Sequence, residues 1–83
     1  MNDERRVRLQ ALDHCLLLLE EALAAGKARV DGPLGSRLRR LLGQAGLVAD
    51  HRLEGRRTGR VLDDIFELQE KILGTTANEE EAM

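Results

Sequence analysis

At 83 residues the chain has room for one domain, and a domain of this size buries only about two-thirds of its unfolded surface, so self-association is an expected source of further stability. Leu and Ala dominate the apolar residues, Phe66 is the one aromatic, and Trp and Tyr are absent; β-sheets draw on the aromatic and β-branched residues that are scarce here, so the composition predicts an all-α fold. The formal net charge of −2 conceals a division, because residues 1–33 carry −1, residues 34–60 carry +5 and residues 61–83 carry −6. That polarity calls for an anionic partner for the middle segment, or for docking of one segment on another within or between chains.

The single cysteine, Cys15, excludes an intramolecular disulfide and a cysteine-based zinc site. The longest apolar run, Cys15 to Leu19, falls far short of the ~20 residues of a membrane span. The charged start MNDERRVR is not followed by a secretory apolar core and cleavage site. A soluble cytoplasmic protein with no membrane partner is expected.

The first helix is predicted over residues 3–25. Leu9, Leu12, Leu16, Leu19 and Leu23 alternate three and four apart, and a second stripe of Ala11, Cys15, Leu18, Ala22 and Ala25 runs beside them. Together they form an apolar arc wide enough to contact two neighbours at once. Asn2 or Asp3 suits the N-cap, and Gly26 suits the left-handed position just past the end. Leu17 belongs to neither stripe.

GKARVDGPLGS reads as a loop, since Pro33 fits only a first helical turn and Gly32 and Gly35 are poor interior residues. A second helix is expected over residues 34–53 from the stripe Leu34, Leu38, Leu41, Ala45 and Val48. Gly43 and Gly46 weaken its second half by ~1 kcal/mol each, leaving residues 43–53 as helix or turn. EGRRTG reads as a turn with Thr58 as N-cap. The third helix, residues 59–73, carries Val61, Ile65, Leu68 and Ile72 on one stripe and Leu62, Phe66, Gln69 and Leu73 on the next. Gly74 is expected to stop it, and the acidic residues 75–83 to form a disordered tail after a single helical domain of residues 1–74.

Seven arginines stand between Leu34 and Arg60. Leu38 to Leu42, then Ala45-Gly46-Leu47-Val48, then Glu54-Gly55-Arg56-Arg57 resemble the recognition helix, turn and basic β-wing of winged-helix repressors of the ArsR type. The resemblance implies that Arg37, Arg39 and Arg40 lie in or beside a major groove and that Arg56, Arg57 and Arg60 meet phosphates. Elsewhere the chain departs from that pattern. Gly26 to Gly35 leaves no room for the preceding helix, and TGRVLDDIFELQ has helical spacing where a wing strand would alternate. No family is assigned on this basis. A nucleic-acid-binding regulator using Arg37, Arg39, Arg40, Arg52, Arg56, Arg57 and Arg60 is the alternative function, and the competing reading is a solvated or paired basic face.

Catalytic chemistry finds little to work with. His14 and Cys15 point about 100° apart on a helix, so they do not face each other as a Cys–His pair must. Cys15 lies in an apolar stripe, His51 and the acid pairs Glu20-Glu21 and Asp63-Asp64 have no evident catalytic company, and Asp13, Glu20 and Glu21 are not spaced from His14 to build a Glu-x-x-His metal site. No phosphate-cradling glycine signature occurs. The expectation is therefore a non-enzymatic, cofactor-free three-helix bundle, a helical hairpin plus a third helix completed by self-association. It would act on another protein, on itself, or on both, as an adaptor, chaperone-like factor or regulator. Its interaction residues would be Leu9, Leu12, Leu16, Leu17, Leu19 and Leu23 with Ile65, Phe66 and Ile72.

Overall fold

The computed structural model describes the backbone of residues 3–47 and 53–81, and side chains within these as far as Gly74. It holds three helices, α1 (Asp3–Ala24), α2 (Gly32–Gln44) and α3 (Thr58–Glu81), with no strand among the described residues. The fold is a small all-α bundle. Helix α1 is its centre: it packs against both α2 and α3, which do not pack against each other.

The broad apolar arc of α1 explains this arrangement. Ala11, Leu12, Cys15, Leu16, Leu19 and Ala22 are buried, meeting Leu34, Leu38 and Leu42 of α2 and Val61 and Ile65 of α3 in one core. Leu12, Leu19 and Leu38 are fully enclosed, and each such burial stabilises by about 1.5–3 kcal/mol relative to exposure. Val30 and Leu53, which no helical periodicity marks, close the core from the two connections.

Those connections also set direction. The Val30 amide donates to the Arg56 carbonyl at 2.9 Å, Gly55 donates to Val30 at 2.8 Å and Thr58 to Ala28 at 2.9 Å, forming a single antiparallel bridge between Arg29 and Arg57. The end of α1 is thereby held beside the start of α3. The two helices run antiparallel.

Helix α1 ends as its sequence predicts, with Gly26 at φ 81° and the Lys27 amide donating back to the Ala22 carbonyl at 2.9 Å. The expected cap Asn2 lies outside the described residues, and Asp3 is the first helical residue rather than a cap. Helix α2 starts at Gly32, ahead of the expected residue 34, because Asp31 caps it: the carboxylate accepts the Leu34 amide at 2.8 Å and Pro33 fits the first turn. Its end is at Gln44, not residue 53. Gly46 adopts φ 76°, so the Leu47 amide reaches back to the Leu42 carbonyl at 2.9 Å and Gly46 to Gly43 at 3.0 Å, the paired bonds of a Schellman stop. Residues 48–52, which include Val48 of the expected stripe, lie outside the described residues.

Two expectations for α3 are corrected. Thr58 does not cap it, because the Arg60 and Val61 amides both donate to the Arg57 carbonyl at 3.1 Å and the fully buried Thr58 hydroxyl has no hydrogen-bond partner among the described residues. Gly74 does not stop it either. It lacks the positive φ that a reversal needs, a glycine inside a helix costs only ~1 kcal/mol, and the Ala and Glu residues that follow are good helix formers. Residues 75–81, expected as disordered tail, continue the helix.

Candidate protein-interaction surface

The nine apolar residues expected to bind a partner separate into two groups. Leu12, Leu16, Leu19 and Ile65 are buried inside the single chain, and Leu9 is half-buried. Ile72 is half-buried and packs on the core. Leu12, Leu16, Leu19, Ile65 and Ile72 hold the bundle together. Leu17, Leu23 and Phe66 remain exposed, joined by Val7 and Leu73, which were not among the candidates. Leu73 could have been found from its place seven residues after Phe66, on the same edge of a helix.

Leu17, Phe66 and Leu73 share one side of the α1–α3 pair. The Gln69 side-chain amide of α3 donates to the Asp13 carboxylate of α1, which fixes these two edges side by side. Leu17 stands one turn beyond Asp13, and Phe66 stands one turn from Gln69 in the matching antiparallel direction. Leu73 lies one turn the other way. Their exposures are 51%, 50% and 49%, so each leaves roughly half its surface on water after the core is complete.

The opposite flank, along α2 and its connections, is polar and paired in part. Arg39 meets Glu54 at 3.2 Å, Arg56 meets Asp64 at 3.3 Å, and Arg29 donates to the Gly55 carbonyl at 2.7 Å. Glu54 lies so close to Gly35 that a Cβ there would come within 2.9 Å of its carboxylate, and the Glu54 side chain would have to shift to admit one. The expected nucleic-acid residues are therefore divided. Arg39 and Arg56 are engaged, Arg37, Arg40, Arg57 and Arg60 are exposed without an ion pair among the described residues, and Arg52 lies outside those residues. Among the described residues the structure does not form the wing that the ArsR resemblance implies. Arg57 makes one isolated bridge, and α3 begins where the returning strand would stand.

Between α1 and the start of α2 a cleft of about 310 Å³ has an apolar floor that includes Leu18, Ala22 and Leu34, and a rim of Glu21, Lys27, Asp31 and Arg37. Lys27 and Asp31 are bridged at 2.7 Å. The Lys27 hydrogen bond, reinforced by the Leu34 amide, holds the Asp31 carboxyl below its usual range.

Cys15 is fully buried, and burial pushes its thiol up to about 11. It is a packed side chain and not a thiolate near neutral pH. Its neighbour His14 is exposed, and His51 lies outside the described residues. Among the described residues no three His, Cys, Asp or Glu side chains converge as metal ligands, and no helix is long and apolar enough to cross a membrane.

These features define a three-helix all-α protein whose two flanks differ in chemistry. No family model, curated protein or solved structure matches the chain.

Proposed function

We propose that this chain is a non-enzymatic cytoplasmic protein that acts by binding another protein, as an adaptor, chaperone-like factor or regulator. The observation that carries the reading is the surplus of Leu17, Phe66 and Leu73: they stand together on one surface while a complete core is closed without them. An exposed apolar cluster of that kind, rimmed by polar residues, is characteristic of an interaction site, with large side chains acting as anchors. A second copy of the chain is the competing occupant. Light scattering decides between them: a mass that stays monomeric across concentration supports a different partner, and a dimer lost on Phe66→Ser assigns the surface to self-association.

A second reading, a nucleic-acid-binding regulator, draws on the exposed side chains of Arg37, Arg40, Arg57 and Arg60. It requires duplex binding that falls steeply with salt and weakens when these arginines are replaced with the fold intact. Binding indifferent to salt or to Arg37→Gln with Arg40→Gln counts against it.

A further inference from the structure

We infer that the α1–α3 surface is a helix-docking groove whose occupant is a cationic amphipathic helix of another protein. The inference rests on the protein-binding reading above and deepens it by naming the partner's chemistry.

The apolar part has the spacing such a ligand needs. Leu62, Phe66 and Leu73 fall on one edge of α3 at intervals of one and two turns, and Leu17 faces the same side from α1 across the seam that the Gln69–Asp13 hydrogen bond fixes. A helix laid along that seam meets anchors at the spacing of its own i, i+3, i+4 and i+7 residues. The flanks supply the charge. Asp13 and Glu20 on α1 and Asp63 and Glu70 on α3 are exposed along the same side, and the cations Arg5, half-buried, and Arg6, exposed, lie at the N-terminal end of α1. Carboxylates bordering an apolar strip attract lysine and arginine flanking an apolar stripe, and repel an anionic lipid surface or a phosphate backbone.

The same charges argue against a second copy. A two-fold contact of this surface with itself opposes the carboxylates of one protomer to those of the other. The cationic face of a second copy's α2 offers Arg37 and Arg40, but their exposed neighbours include Pro33, Ser36, Gly43 and Gln44 and no exposed leucine or aromatic side chain that could anchor in the groove. The occupant must bring anchors and cations together, as a separate amphipathic helix does.

The test is fluorescence anisotropy with a labelled amphipathic peptide of about 20 residues, built from leucine and lysine, against its leucine–glutamate counterpart of identical apolar spacing. The leucine–lysine peptide is expected to bind, one per chain, and the leucine–glutamate peptide to show no binding. Phe66→Ser should weaken binding by about tenfold or more, and Asp63→Asn with Glu70→Gln should weaken it at low salt and flatten its salt dependence. Arg37→Gln with Arg40→Gln should leave it unchanged. Leu73→Ser serves as the second variant if Phe66→Ser loses helicity by circular dichroism. Equal binding of both peptides, or binding indifferent to Phe66 and Leu73, overturns the inference. A dimer that Phe66→Ser dissociates gives the groove to a second copy, which overturns the occupant while leaving the protein-binding reading standing. A monomer that ignores both peptides and binds duplex DNA through Arg37 and Arg40 overturns both.

Discussion

The two flanks of α1 are completed in different ways. Toward α2, several polar groups answer one another, since Asp31 caps the helix and bridges Lys27, Glu54 lies across Gly35 to reach Arg39, and Arg29 binds the Gly55 carbonyl, while Arg37 and Arg40 stay exposed without an ion pair among the described residues. Toward α3, the seam closes over Leu12, Leu16 and Leu19 and then leaves Leu17, Phe66 and Leu73 on water beside exposed carboxylates. The first flank turns part of its charge on the chain itself and leaves arginines on water, and the second keeps apolar surface in reserve. In a small domain with little stability to spare, apolar surface left outside a finished core points to work done elsewhere.

The sharpest way to break the comparison is inside α1. Leu19→Asp places a carboxylate in a fully enclosed site and should unfold the chain, since an unpaired buried charge costs more than a domain of this size can absorb. Loss of the helical circular dichroism signal checks it. Leu12→Ala should cost about 2–5 kcal/mol in urea unfolding, with the chain still folded at low denaturant.

Thr58 offers an effect of opposite sign. Its hydroxyl is buried without a hydrogen-bond partner among the described residues, and leaving such a group unpaired costs about 1–3 kcal/mol. Thr58→Val keeps the shape and removes the oxygen, so it should raise stability by roughly 1 kcal/mol. An unchanged or lower urea midpoint would show that the hydroxyl is satisfied in solution.

Two titrations probe the same contrast. The Cys15 thiol, at an ordinary value of 9.0, is raised to about 11 in the fold, so the folded chain stays protonated where the unfolded chain ionises. Its contribution is complete below pH 9 and is lost as pH rises toward 11. Alkylation of Cys15 at neutral pH should proceed only through opening of the bundle. Asp31 behaves in the reverse sense. Its folded carboxyl lies below the ordinary 3.8, so its contribution is present above that pH and declines as pH falls below it. Asp31→Asn, which keeps a capping oxygen but loses the charge on Lys27, should abolish that acid-side decline at smaller cost than Asp31→Ala.

Much of the architecture is legible in the sequence because α1 advertises both of its neighbours. Two apolar stripes on one helix require two packing partners, and Gly26 marks the end. The end of α2 is harder to read, since Leu34, Leu38, Leu41, Ala45 and Val48 continue the helical spacing straight through Gly46, whose positive φ is what stops the helix. Gly74 presents the reverse case, a glycine that only weakens a helix. The bridge between residues 28–30 and 55–58 has no local signal at all, as it joins segments far apart in the chain.

At the candidate surface, Leu17 is legible because it falls off both stripes of α1. Phe66 and Leu73 are harder, because their stripe on α3 looks like a second core face. Burial of Val61 and Ile65 against α1 is what turns them outward.

The central claim is that the buried leucines of α1 make the fold while Leu17 and Phe66 are surplus to it. Urea unfolding of the Leu17→Ser, Phe66→Ser double variant tests this most directly. The account predicts a stability within about 1 kcal/mol of the unaltered chain, as exposed substitutions give. A loss of several kcal/mol, comparable to Leu12→Ala, would mean that these residues belong to the core and that the α1–α3 surface holds nothing in reserve.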